Sequence, residues 1–211
     1  MTVSNGTAPA LLLDFGGVLT ESVIGAFETA CLANDVDPCA FIDEVFSPNH
    51  AEDSPFHLIE IGRISLAEFI ERVSPVLSRH APHPVDGAQW YDAVRQTTQR
   101  VDPVMVDAVQ RLIDRGVQTA LLSNSWGPRD TYPWHLLPTI QEVVISGEVG
   151  IRKPDPEVYR LALDKIGRPP TECIFIDDVE VNLVPARALG MRTILHTDRD
   201  ATLVRLRQIY G

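Results

Sequence analysis

From residue 101 onward the sequence alternates short apolar runs with amphipathic stretches, and this alternation limits the fold more than any other feature. Residues 117–122, 142–145, 173–176 and 192–195 read as strands. Residues 103–115, 156–166, 182–189 and 201–210 read as helices, the first three closed by Gly116, Gly167 and Gly190. Pro185 fits only the first turn of its helix. Near the start, Leu11-Leu12-Leu13 reads as one more buried strand. Strands that alternate with helices form a parallel sheet covered on both faces, so the fold class is α/β. All carboxyl ends of such a sheet lie on one edge, and ligands bind there.

Between these parts, residues 21–98 show helix signals and no useful strand alternation. Asp37 before Pro38 and Ser54 before Pro55 look like N-caps with proline at the first helical position. Ser65-Leu66-Ala67-Glu68 has the pattern of a capping box, and Gly62 ends the helix before it. Ser74-Pro75 and Ala81-Pro82-His83-Pro84 are expected to break the run. The chain of 211 residues therefore divides into an α/β core, residues 1–20 and 99–211, and a small all-helical insert, residues 21–98.

Net charge of −11 opposes a nucleic-acid footprint, and an anionic substrate needs a local cationic pocket. Cys31, Cys39 and Cys173 show neither metal spacing nor a disulfide framework, which suits a reducing cytoplasm. Residues 1–7 carry no basic region or apolar run, so no secretion signal is read there, and the Asn5-Gly6-Thr7 triplet reads as tail. No segment has the ~18 apolar residues of a membrane span. Gly16-Gly17 is no dinucleotide fingerprint. Nothing in the sequence chooses between monomer and homodimer.

Four strand ends or post-strand loops carry polar residues suited to one site. Asp14 follows the leucine strand, and a carboxylate held at a sheet rim can act as a nucleophile. Gly16 and Gly17 let the backbone bend and approach a ligand. Ser123-Asn124 follows the strand at 117–122, and its hydroxyl, amide and backbone N–H groups can hold phosphate oxygens. Lys153, in a proline-constrained loop, can be aimed at a phosphoryl group. Asp177-Asp178 after a buried strand would repel each other without a cation nearby. With Asp14 they form an oxygen-rich set of the hard type that binds Mg²⁺. Each also has an ordinary reading: a strand-end acid at Asp14, a turn or cap at Ser123, a solvated loop lysine, an acidic helix start at Asp177-Asp178.

In order, LLLDFGGVLT, TALLSNS, GIRKPDPEVY and FIDDVEVNL resemble the motifs of the haloacid-dehalogenase-like (HAD) hydrolase superfamily. The stretch from Lys153 to Met191 and the insert around Glu60–Ser65 look similar to the phosphatase-like N-terminal domain of soluble epoxide hydrolases. The resemblance implies a Rossmann-like core with a helical cap and a Mg²⁺-dependent phosphatase acting on a small phosphorylated molecule. It implies Asp14 as nucleophile, Ser123, Asn124, Lys153 and Gly17 around the phosphoryl group, and Asp14, Asp178, Asp177 and the Gly16 carbonyl around the metal.

Phosphatases of this family usually carry a second aspartate two positions after the nucleophile, as acid and base. Here that position is Gly16. His50, Asp53 and His57 are the insert residues that could substitute. Trp126, Arg129, Trp134 and His135 follow the Ser123 strand and could line the substrate side or simply pack. Three readings follow: a phosphatase of restricted range, a non-catalytic phosphate-binding or regulatory protein, and a metal-free haloacid dehalogenase. The Asp177-Asp178 pair opposes the third, because it would repel a carboxylate substrate.

Overall fold

The computed structural model describes residues 8–46 and 53–211, so the Asn5-Gly6-Thr7 triplet and His50 lie outside the described residues. Five parallel strands form one sheet in the order β3-β2-β1-β4-β5. They are β1 Ala10–Leu13, β2 Thr119–Ser123, β3 Glu142–Ile145, β4 Cys173–Asp177 and β5 Arg192–Leu195. The chain steps outward from β1 to β2 and β3, then crosses to β4 on the other side of β1. That reversal makes a switch point beside β1, where open α/β sheets bind ligands. Leu13 pairs with Leu121 and with Ile176. One further step along the register sets Asp14 beside Asp177 and one residue short of Ser123.

The apolar runs are continuous because both sheet faces are buried. Side chains alternate between faces. Leu11 and Leu13 pack with Met105, Val109 and Leu206, while Ala10 and Leu12 pack with Val158, Ala162 and Leu183. The first set of partners comes from α6 (Pro103–Asp114) and α10 (Arg199–Tyr210), the second from α8 (Pro156–Ile166) and α9 (Glu180–Ala188). A four-residue helix, α7 (Ser146–Val149), follows β3.

The segment between β1 and α6 holds α1 (Val23–Leu32), α2 (Pro38–Phe46), α3 (Pro55–Glu60), α4 (Leu66–Ser78) and α5 (Gly87–Thr98). They close on an aromatic cluster of their own, with Phe27, Phe41, Phe56, Phe69 and Trp90 buried together. Trp126, from the loop after β2, joins it with its ring centroid 5.0 Å from that of Phe27. The chain leaves and re-enters the sheet side by side. Thr20 and Val101 form an antiparallel bridge, flanked by Glu21 N–H to the Arg100 carbonyl (3.1 Å) and Asp102 N–H to the Leu19 carbonyl (2.8 Å).

The helix signals hold with instructive exceptions. Ser65 and Glu68 make both bonds of the capping box, and Gly62 takes a φ of +67° after α3. Asp37 Oδ1 accepts the Ala40 N–H (3.1 Å). Ser54 stands at the N-cap of α3, but its side chain makes no capping bond. Ser74-Pro75 does not break α4. Pro75 lies near its end, and Ser74 Oγ bonds the Ile70 carbonyl while accepting the Gly87 N–H, which holds that end in place. Strand β2 starts at Thr119 rather than at residue 117, because the Val117 N–H returns to the Leu112 carbonyl of α6, while the Gln118 carbonyl already accepts the Leu11 N–H of β1 (2.9 Å). Helix α9 starts at Glu180, since Asp177 Oδ1 catches the Val179 N–H, so Pro185 falls in the second turn and not the first. Helix α10 starts at Arg199, because Asp198 Oδ1 accepts the Ala201 N–H and caps it.

Candidate active site

The switch point gathers Asp14, Lys153, Asp177 and Asp178. Asp14 follows β1 directly, and its N–H donates to the Ile176 carbonyl of β4 (2.9 Å). Lys153 Nζ lies 2.8 Å from Asp14 Oδ2 and 2.7 Å from Asp177 Oδ2. Lys153 is 1% exposed and Asp177 fully buried, so this is a desolvated ion triad. Such triads persist only when their remaining hydrogen-bonding capacity is met. Here it is met. Asp14 Oδ1 accepts the Phe15 N–H (2.7 Å), and Asp177 accepts from Val179 N–H (2.8 Å) and from Asn182 Nδ2 (3.0 Å).

Burial pushes the Asp14 carboxyl up to about 8, against the pull of Lys153 and with the help of Asp177 and Asp178. Burial, then the charge of Asp177, pushes Asp178 up to about 6. For Lys153 burial acts downward, but Asp14 and Asp177 outweigh it and hold the ammonium above its ordinary range. The cluster thus carries one firmly held cation among three carboxylates that repel one another.

Asp14, Asp177 and Asp178 offer carboxylate oxygens within 4.8 Å of one another. Asp177 is taken up by Lys153, Val179 and Asn182, whereas half-buried Asp178 lines a cleft together with Asp14 and Gly16. Gly17, at φ +73°, lies so close to Asp178 that a Cβ there would fall 2.0 Å from Oδ2. Only glycine leaves room for that carboxylate. Hard oxygen donors from two or three carboxylates and a backbone carbonyl fit Mg²⁺.

The flanking residues do different work from what their positions suggest. Asn124 Oδ1 accepts the Lys153 N–H (2.8 Å), and its Nδ2 donates to the Lys153 carbonyl (3.1 Å), so Asn124 fastens the lysine loop to the end of β2. Ser123 is buried and its hydroxyl shares a 2.9 Å hydrogen bond with the Tyr132 hydroxyl. Tyr132 in turn packs on Phe15, with centroids 4.7 Å apart. Burial raises the Tyr132 phenol above its ordinary range. Trp126 lines the cleft and donates from Nε1 to Glu60 Oε1 (2.9 Å). Trp134 stacks on Tyr132, Arg129 pairs with Glu148, and His135 is exposed. None of these three lines the cleft. Asp53 is exposed, and His57 Nδ1 lies 3.4 Å from Arg152 Nη1, outside the cleft lining.

The cleft has a volume of about 400 Å³ and lies between the sheet edge, α1 and α5. Its walls are largely apolar, with Phe15, Val23, Val94 and Trp126, and Ile24 and Val181 are exposed on them. Tyr132 was not singled out by the sequence, and Asn182, Glu60 and Arg152 entered only inside motifs, with no role of their own. Glu60 and Arg152 act through partners distant in the chain, and Tyr132 and Asn182 through contacts between a strand end and the element after it, none of which follows from a residue period.

Fold and site together define an α/β core with a parallel sheet and a carboxylate cluster at its switch point. The chain belongs to the haloacid dehalogenase-like hydrolases, whose family model matches residues 8–190. It is 36% identical to bifunctional epoxide hydrolase 2 of Sus scrofa over 221 aligned positions, covering 96% of this chain but only 39% of that protein. It is 35% identical to a sesquiterpene phosphatase of Aspergillus oryzae, over 59% of this chain and 66% of that one. Among solved structures it resembles a HAD family enzyme of Bacteroides thetaiotaomicron crystallised with magnesium and inorganic phosphate. That match has a TM-score of 0.64 and 25% identity, and covers 93% of this chain and 99% of the other. No described helix is long and apolar enough to cross a membrane.

Proposed function

We propose that this chain is a phosphatase that transfers the phosphoryl group of a small organic phosphate to Asp14 and then to water. The observation that carries the reading is Lys153 Nζ bridging Asp14 and Asp177 while Asp178 faces the cleft. The name of the Aspergillus relative and the ligands of the Bacteroides structure support it.

Asp14, Asp178 and the Gly16 carbonyl would hold Mg²⁺, which when bound offsets the charge of the phosphoryl oxygens. Asp177 positions Lys153, and Asn124 fixes its backbone. Lys153 counters the charge that builds up near Asp14, so that positioning and electrostatics carry the transfer. Ser123, held by Tyr132 and outside the cleft lining, reaches the phosphoryl group only by exchanging that partner. Residues 21–98 would form a cap over a core of residues 1–20 and 99–211, and the apolar walls between them suit an apolar substrate body.

Phosphate release from a panel of organic phosphates tests this, with Mg²⁺ and with chelator. Turnover that disappears in Asp14→Asn and under chelation is the expected result. Ligand binding without release from any ester would favour the non-catalytic reading instead. The three-carboxylate cluster keeps the dehalogenase reading last.

A further inference from the structure

Among the described residues, no carboxyl, imidazole or phenol lining the cleft, other than Asp14 and Asp178, is free to give a proton to a departing oxygen. Glu60 is held at both oxygens, by Trp126 Nε1 (2.9 Å) and by Arg152 Nε (2.7 Å). The Tyr91 hydroxyl donates to the Trp126 carbonyl (3.3 Å), and the Tyr132 hydroxyl is engaged with Ser123. Lys153 is locked between Asp14 and Asp177. Arg95 and Arg152 are guanidinium groups that keep their protons. Among the described residues, the other titratable groups lining the cleft are Asp14 and Asp178.

The backbone next to the nucleophile offers no substitute. Gly16 lines the cleft, and a Cβ placed on it would lie 2.8 Å from Val23 Cγ2. A methyl group of α1 thus crowds the space that an acid side chain at position 16 would enter.

Resting on the phosphatase reading above, we propose that the site is restricted to phosphoryl donors whose leaving oxygen departs as a stable anion: aryl, enol and acyl phosphates and phosphoric anhydrides. In the first step an Asp14 oxygen bonds to phosphorus as the P–O bond to the substrate breaks. The electron pair of that bond leaves with the oxygen, which stays ionised or takes a proton from bulk water. In the second step a water oxygen attacks phosphorus and the bond to Asp14 breaks. The carboxylate recovers its electron pair, and the proton of the water passes to solvent. No described side chain of the cleft is free to collect that proton, so the second step is slow and the phosphorylated protein accumulates.

The test uses 4-nitrophenyl, phenyl and benzyl phosphate with Mg²⁺, reading kcat/KM and the mass of the protein during turnover. A positioned general acid is worth ~10²–10⁴-fold, so benzyl phosphate should lag 4-nitrophenyl phosphate by at least that range. A phosphoryl adduct should be present during turnover of the nitrophenyl ester. The double variant Gly16→Asp/Val23→Ala should narrow the gap, raising the ratio of benzyl to nitrophenyl kcat/KM whatever the absolute rates become. A gap within about tenfold in the wild type, with release still dependent on Asp14, would overturn the restriction and leave the phosphatase reading intact. A wide gap that the folded double variant leaves unchanged would overturn it as well. Absence of Asp14-dependent release from all three esters would overturn both readings. The wild-type series decides the matter even if the double variant does not fold.

Discussion

At the residue scale, the Asp14–Lys153–Asp177 triad ties chemistry to stability. Removing one partner from a buried ion cluster leaves uncompensated charge, a loss of about 3–5 kcal/mol. Lys153→Met should therefore be destabilised by that order in urea titrations as well as inactive. The deficit should grow with pH, because protonation of Asp14 relieves the repulsion at low pH and ionisation restores it at high pH. The two adjacent aspartates should separate by assay. Asp177→Asn should lower the unfolding midpoint, since it loosens Lys153, Val179 and Asn182 together. Asp178→Asn should leave the midpoint near that of the wild type but weaken Mg²⁺ binding by calorimetry, by at least the ~10–100-fold typical of groups outlying a metal. Equal effects of the two substitutions in both assays would contradict this division.

At the element scale, the strand ends were legible because a buried parallel strand has a simple signature, an apolar run stopped by an acid. That signature located Asp14 and the Asp177-Asp178 pair, and the switch point followed from the alternation of strands and helices. What escaped was pairing across elements. Tyr132 comes to Ser123 from a loop after β2, and Asn182 reaches Asp177 from α9, contacts with no periodicity to betray them. The prolines misled for a related reason, since side-chain bonds from Ser74 and the bond from Val179 N–H to Asp177 Oδ1 decided where α4 and α9 run. His196, just past β5, offers a pH test of such a cross-element contact. Its Nδ1 lies 2.9 Å from Thr202 Oγ1 of α10, and burial holds the imidazole below its ordinary range against the pull of Asp102 and Asp198. The unfolded chain then binds the proton first, so this contribution is complete above about pH 6.5 and is lost over the interval from there down through the lower folded value. Asp14 and Asp178, with raised values, act in the opposite sense, so the readout is a difference. The stability gap between wild type and His196→Gln should change across that interval, and a gap that stays constant would contradict the assignment.

At the scale of the whole molecule, a polar knot helps to fasten the helices between β1 and α6 to the sheet, alongside the bonds from Tyr91 to the Trp126 carbonyl and from Gln99 Nε2 to the Thr131 carbonyl. Glu60, the last residue of α3, accepts from Trp126 Nε1 and pairs with Arg152, one residue before Lys153, while its carbonyl accepts from Ser146 Oγ of α7. Beside it Gly62 runs against Gly147, and a Cβ there would lie 2.4 Å from the Gly147 carbonyl oxygen. Gly62→Ala is strained twice over, by this contact and by a left-handed φ that costs an L residue about 1–2 kcal/mol. It should lower stability by at least that amount. Glu60→Gln is the subtler change. It keeps the shape and the bond to Trp126 but removes the charge that holds Arg152, in a pair whose side chains are 31% and 14% exposed. The loss should therefore fall between the ~1 kcal/mol of a surface pair and the ~3 kcal/mol of a buried one, with amide exchange rising locally in α3 and around residues 151–153. If the helices close over bound substrate, KM should rise more than kcat falls, because the knot shapes the cleft without touching Asp14. Unchanged exchange in both segments would show that the aromatic cluster and the Tyr91 and Gln99 bonds hold the helices down and that the knot is incidental to the cleft.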